Sequence, residues 1–267
     1  MAVARILPAQ RRKRPRLRAL RPMPMLSGMR TDIAGKALMN GILLDVPEDE
    51  YALVRPHLEP IDLPQHTILY EPTEKIDFAY FPNEGMTSLV IAVKDGRSVE
   101  VGMVGREGMV GTPLVAGMRS GPCRAIMQIA GSGLRIRSEV LLDALQDAPH
   151  LRLCLNRYAL CQGLEVAQIA ACNRLHEIEQ RLARWLLMCQ DRVDSPLLPL
   201  TQEFLAEMLG TGRPTVSLAS GMLQRAGLIE NVRGNVRILN RKQLESTACE
   251  CYGMIQNLTI PAVISQL

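Results

Sequence analysis

The sequence predicts an α+β chain: an N-terminal antiparallel β-roll of jelly-roll type, a long helix, and a C-terminal winged helix-turn-helix. Three observations carry this reading. Short β-rich runs divided by Gly- and Pro-containing turns fill residues 64–137. Residues 150 to about 192 hold no proline and read with a helical period. Within 201–225, "GTGRP" then splits two short apolar-periodic runs, and a turn-linked strand pair follows.

Composition bounds the alternatives. Of 267 residues 47% are hydrophobic and only 3% aromatic, so aliphatic side chains and fourteen Met must fill the core of a folded chain. No apolar run approaches the ~18 residues of a membrane span. Residues 1–30 carry nine Arg or Lys and no acid, so removing nine from the net +4 leaves −5 for the remainder. This basic stretch predicts a disordered tail over 1–35, with a start at Met25 or Met29 and without the apolar core of a secretory signal. Clustered Arg also suits a phosphate-binding arm. Seven cysteines without a C-x-x-C pair fit free thiols in a reducing cytoplasm. Cys154, Cys161, Cys172 and Cys189 read as small buried hydrophobes, and one residue between Cys249 and Cys251 is poor spacing for a closed zinc site. No metal and no cofactor is expected.

The elements follow in chain order. Residues 41–63 read as a short helix leading into extended chain. "HTILY", "DFAYF", "TSLVIAV", "SVEVGMV", "RAIMQIA" and "GLRIR" are strands, broken at "PNEG", "KDGR", "GREG" and "GSG". Residues 138–146 are helical, and Pro149 opens the next helix. Leu175, Ile178, Leu182, Leu186 and Cys189 form one helical stripe, and residues 193–199 read as a linker. Thr201 caps the following helix, Gly210 ends it at positive φ, and Pro214 is tolerated in the first turn of the next. Val216, Ala219 and Leu223 share the inner face of that second helix. Pro214, Ser217, Leu218, Gly221 and Arg225 point away from it, and Arg233 and Arg237 ride on the hairpin that makes the wing.

The run "LTQEFLAEMLGTGRPTVS…LQRAGLI…RGNVRILN" resembles the DNA-binding domain of the Crp/Fnr superfamily of bacterial transcription regulators. "FAYFPNEGMTSLV" and "GMVGTPLV" resemble the cyclic-nucleotide-binding β-roll of that family, and the likeness spans about 41–252. "CECY" resembles a motif of a subgroup whose effectors are mostly undefined. The resemblance implies a β-roll sensor over 36–148, a dimerisation helix and a following helix over 149–192, a winged domain over 193–252 and a C-terminal tail over 253–267. It also implies a homodimer on double-stranded DNA, with RNA polymerase as a further partner and no membrane. Thr211, Arg233 and Arg237 are then phosphate contacts. Arg213, Pro214, Thr215, Ser217, Leu218, Gly221 and Arg225 form the groove face. The family often reads DNA with Arg, Glu and Arg at the positions of Arg213, Pro214 and Leu218, and only Arg213 remains. A different operator is therefore expected.

The pocket also departs from the family. Where cyclic-AMP-binding members use a Glu for the ribose, and an Arg and a Ser for the phosphate, this chain has Thr112, Pro122 and Cys123. The Thr-Ser contact from the partner subunit appears as Val166 and Ala167. A desolvated phosphodiester needs a cation or several donors, and proline supplies neither. Arg124 should point away from Cys123 on an alternating strand. Cyclic AMP binding in the usual way is not expected, and the effector stays undefined. No cysteine precedes Cys123, which excludes the cluster of the oxygen-sensing branch, and His57, His66, His150 and His176 are not expected to hold haem. Two other readings remain. One is a constitutive DNA-binding dimer with a ligand-free β-roll; the other is a cupin-like metalloenzyme, for which His66 is the barrel's sole histidine.

Overall fold

The computed structural model of this chain describes residues 30–259. Most of the expected tail lies outside those residues, but its end contradicts the expectation of disorder. Arg30 donates to the Leu43 carbonyl at 2.8 Å and lies over the Tyr51 ring, while the Asp32 carboxylate accepts from the Ala34 and Lys36 amides. The short helices α1 (Gly41–Asp45) and α2 (Glu48–Val54) lead into the strands.

Two antiparallel sheets enclose the first core. One is ordered β1 (Glu59–Leu63), β7 (Gly131–Arg137), β3 (Phe78–Pro82); the other β2 (Ile68–Tyr70), β6 (Arg124–Ile129), β4 (Met86–Ala92), β5 (Ser98–Val104). The sequence leaves residues 59–63 merely extended, yet they pair with β7 along their whole length. Leu63, Phe81, Leu89, Met127 and Leu134 fill the space between the sheets. Met86 and Val90 face the other way, into a second core, so β4 is buried on both faces and its alternation disappears. His66 is exposed at φ 68 on the turn between β1 and β2, outside the barrel, which removes the one histidine a cupin-like centre had.

Helix α3 (Ser138–Asp147) precedes the 27-residue α4 (Pro149–Leu175), with Pro149 in its first turn as expected. The buried Glu50 carboxylate accepts the His150 and Leu151 amides at 3.0 and 2.8 Å, satisfying two donors the helix start leaves open. His176 then turns extended, and Glu177 starts α5 (Ile178–Val193) with a capping box to Gln180. This break corrects the predicted stripe. Leu182, Leu186 and Cys189 are buried on α5, but Leu175 is 75% exposed at the end of α4.

Helix α5 is the centre of the second core, between the barrel and the C-terminal elements. The Trp185 indole N–H donates to Glu100 of β5 at 2.7 Å, and the Ser88 hydroxyl donates to the same carboxyl at 2.5 Å. Burial pushes the Glu100 carboxyl up to about 7, against the pull of those two donors. Near the end of α5, the buried Arg192 pairs with Glu107 at 2.8 Å and with Glu165 of α4 at 3.5 Å.

Residues 197–198 are not linker. They form β8 (Leu197–Leu198), which pairs with β10 (Asn235–Ile238), itself paired with β9 (Ile229–Val232). Between β8 and β9 lie α6 (Gln202–Met208) and α7 (Arg213–Arg225). Helix α8 (Arg241–Thr247) follows β10, and α9 (Cys251–Thr259) packs on α4 and α5. Residues 253–259, expected as tail, are thus helical, because Tyr252 and Ile255 bury one face of α9 in the second core. Residues 260–267 lie outside the described residues.

Candidate nucleic-acid interface

The turn between α6 and α7 is built by local chemistry. The Thr201 hydroxyl accepts the Phe204 amide at 3.2 Å, capping α6. Gly210 turns the chain at φ 61, and the Thr211 amide reaches back to the Ala206 carbonyl at 3.0 Å. Helix α7 restarts from Gly212 with Pro214 in its first turn. Its inner face, Val216, Ala219 and Leu223, is buried beside Leu205 and Ala206 of α6. Burying each Leu or Val side chain contributes about 1.5–3 kcal/mol, which holds α7 in place.

The opposite face is open. Arg213, Pro214, Thr215, Ser217, Leu218 and Arg225 are exposed, with Gly221 and Thr211 half-buried at its margins. Leu218, 62% exposed on a helix whose inner face is apolar, stands outside the packing of the described residues. Arg213 Nη1 rests 3.3 Å from Glu203 Oε2, both well exposed. Such a surface pair is worth about 0–1 kcal/mol and is easily traded for a stronger anion. On the hairpin, Gly234 takes φ 76 at the tip, Arg233 is exposed beside it, and Arg237 pairs with Glu230 at 3.0 Å.

Sequence reasoning misses what orients this face. Gln202 of α6 donates to Ser220 and to Asn231, at 3.2 and 3.0 Å, while the Asn231 amides donate to Gln224 at 3.0 and 2.7 Å. Ser220 also donates to Asn231, at 3.0 Å. This network ties α6, α7 and β9 together and fixes the wing against α7. The polar residues alone carry no periodic signal; only Ser220 on the buried side of α7 hints at it.

The five positions expected around an effector fall on the turn at 112–116, on the residues just before β6 and on α4. Thr112, on a tight turn at 112–116, donates to Gln162 of α4 at 2.7 Å. Cys123 is half-buried against the first core, and burial pushes its thiol up. Pro122 is exposed, as is Ala167, and Val166 is half-buried on α4. Arg124 is engaged by Glu71 at 2.8 Å. A cleft of about 220 Å³ opens beside β1 and β7, between Asp32, Asn83 and Ser132, and involves none of these five residues.

Two groups of described residues bring metal-ligating atoms within 4.8 Å of one another. One is Asp45, His150 and Cys154, at the start of α4; the other is Cys172, His176, Cys249 and Cys251, where α4 meets α9. No described helix is long and apolar enough to cross a membrane.

Residues 180–247 match the Crp-like helix-turn-helix domain. No curated protein matches the chain. Among solved structures, a transcriptional regulator of the Crp/Fnr family from Eubacterium rectale is 19% identical at a TM-score of 0.62, over 77% of this chain and 96% of that one. The c-di-GMP-responsive global regulator CLP of Xanthomonas campestris is 18% identical at 0.61, over 72% and 99%. FixK2 of Bradyrhizobium japonicum is 16% identical at 0.62, over 72% and 98%. The chain therefore carries a Crp-like helix-turn-helix domain on the β-roll, long helix and winged domain of the solved Crp/Fnr regulators, the fold class that the sequence predicts.

Proposed function

We propose that this chain is a sequence-specific DNA-binding transcription regulator that acts as a homodimer, with a β-roll that does not bind cyclic AMP in the usual way. The observation that carries the reading is the two-sidedness of α7: Val216, Ala219 and Leu223 are pinned inward, while Arg213, Ser217, Leu218 and Arg225 face outward. Arg213 is the one long donor at the start of that face. It suits a bidentate contact to guanine worth about 1–3 kcal/mol of discrimination, and Leu218 suits a thymine methyl. Thr211, Arg233 and Arg237 take phosphates, positioning the duplex more than reading it.

One winged domain binds weakly, and a two-fold pair reads two half-sites one helical turn apart. Helix α4 supports such a pair. Leu153, Leu160 and Leu164 are exposed on it, and Ala167 and Ala171 extend the same seam at alternating spacings of three and four. An apolar seam of that period is a coiled-coil face. RNA polymerase is the natural further partner of a regulator so built. The chemistry of positions 122 and 123 supports a sensor without the usual nucleotide, since neither Pro122 nor the half-buried Cys123 supplies the cation that a desolvated phosphodiester needs.

Selection of bound DNA from a random pool, followed by light scattering, tests the reading. A two-fold symmetric site and a mass of two chains are expected. Retention of no sequence above background, or recovery of the familiar cyclic-AMP-receptor half-site, would count against it.

A further inference from the structure

Cys172 lies in the last turn of α4, and His176, four residues on, is the extended residue that follows the helix. Cys249 precedes α9 and Cys251 is its first residue. The four meet where those helices cross. Cys172 Sγ lies 3.4 Å from Cys249 Sγ, and Cys251 Sγ lies 3.5 Å from His176 Nδ1. All four ligand atoms are within 4.8 Å of one another. Ligands ~2.0–2.3 Å from a tetrahedral zinc stand ~3.4–3.8 Å apart, so the gathered atoms are close to the edges of that tetrahedron.

The surroundings are those of a ligand shell, not of an apolar core. The three cysteines form a buried group of their own, apart from both hydrophobic cores. The Gln168 amide donates to Cys251 Sγ at 3.0 Å. His176 turns its other ring nitrogen, Nε2, to Glu250 Oε1 at 3.3 Å, so that in the tautomer protonated at Nε2 the Nδ1 lone pair faces Cys251 Sγ. A carboxylate behind a histidine is the usual outer partner of a metal ligand. Arg184 is 2% exposed, its Nε has no hydrogen-bond partner, and it forms no ion pair among the described residues. Its guanidinium lies close enough to act electrostatically on Cys172 and Cys249. Three thiolates, a neutral imidazole and a divalent cation sum to one negative charge, and a buried, unpaired arginine beside them balances it.

We propose that Cys172, His176, Cys249 and Cys251 hold a zinc ion in a closed Cys₃His site that fastens the winged domain to the end of the long helix. Thiolate and imidazole donors in a tetrahedron select zinc among the common divalent cations. The site is closed, so its role is structural and regulatory, not catalytic. Loading releases the thiol protons and couples metal to the seating of α9 on α4.

Metal content of the reduced full-length protein tests this, and does so whether or not the chain binds DNA. One zinc per chain is expected after exhaustive dialysis. Replacement by Co²⁺ should give thiolate-to-cobalt charge transfer and the visible bands of a tetrahedral centre. Cys249→Ser should lose the metal and Cys123→Ser should keep it. Glu250 is 73% exposed, so Glu250→Gln leaves the fold intact and should weaken zinc ~10–100-fold in competition with a chromophoric chelator. A reduced chain that takes up neither zinc nor cobalt would overturn the proposal. So would iron with acid-labile sulfide at these cysteines, a Cys172–Cys249 disulfide in freshly isolated protein, or unchanged metal content in Cys249→Ser.

Discussion

Replacing Glu100 with glutamine should stabilise the chain above neutral pH and leave it unchanged in acid. Glu100 is buried where β5 meets α5, its two oxygens taken by the Ser88 hydroxyl and the Trp185 indole. Burial outweighs both donors and raises its pKa from 4.5 to about 7. Between those values the native chain keeps a proton that the unfolded chain has lost. Linkage then makes stability fall as pH rises through the window, levelling off above about 7. About 2.5 units at 1.36 kcal/mol each gives on the order of 3 kcal/mol as the ceiling. Glutamine keeps the carbonyl that accepts from Trp185 and offers its amide to Ser88 Oγ, so the geometry survives without the charge. The assay is the urea midpoint of both proteins in reducing buffer from about pH 5 to pH 8. Glu165, also raised by burial against the pull of Arg192, is common to both and cancels in the difference. The difference should open with pH, from about 1 kcal/mol near pH 5 to as much as ~3 kcal/mol near pH 8. Parallel pH profiles, or a lower midpoint for the variant at pH 8, would refute the reasoning.

Leu160 is 65% exposed on α4, and Leu160→Glu should split the proposed dimer. Losing about 1.5–3 kcal/mol of apolar burial per chain raises the dissociation constant by ~100-fold or more, seen as a halved mass in light scattering with unchanged circular dichroism. Gly210 has φ 61, and a Cβ there would stand 3.0 Å from Val99 Cγ2. Gly210→Ala should therefore cost about 1–2 kcal/mol in a denaturation midpoint. Arg233→Ala should weaken all DNA sequences alike and lower the salt slope of binding by about one per half-site, whereas Arg213→Ala should relax preference at one base pair of each half-site. A filter-binding series over salt and base substitutions separates the two.

The helix-turn-helix was legible because its signals are local. Thr201, Gly210 and Pro214 each do one thing to the backbone that few residues do, and Val216, Ala219 and Leu223 recur with the period of one turn. The strands of 66–137 were legible for the same reason, through the glycines and proline between them. Residues 59–63 were not, because Pro60 and Pro64 frame a run that reads as loop until β7 supplies its partner. The break at His176 was hidden by Leu175, which continues the spacing of the α5 stripe although its own helix ends there. The Gln202, Ser220, Asn231 and Gln224 network depends on side-chain reach across three elements, and no spacing encodes that. The cysteine cluster was the hardest. Its halves are 77 residues apart in Cys172 and Cys249, and each half alone is an ordinary pattern. C-x-C is poor for zinc only if both remaining ligands must be local; here a second helix supplies them.

The ties between the β-roll and the elements after α4 run mostly through α5. Trp185 bonds to Glu100 of β5 in its middle, Arg192 bonds to Glu107 and Glu165 at its end, and Ser98 on the β4–β5 hairpin bonds to Glu207 of α6. Only His176 and Glu177 separate α5 from α4, so any change of angle between those two helices would fall on that pair. The cysteine group spans this very joint, with His176 as both hinge residue and ligand. A cation there restrains the hinge directly, whereas the other ties restrain it through the barrel. An ion shifts an equilibrium only by the difference in its affinity for the two arrangements, and moving a ratio from 1:99 to 99:1 needs about 10⁴-fold. A Cys₃His site whose halves lie on either side of the hinge meets that demand by construction, because opening the joint separates its ligands and leaves no second arrangement able to bind.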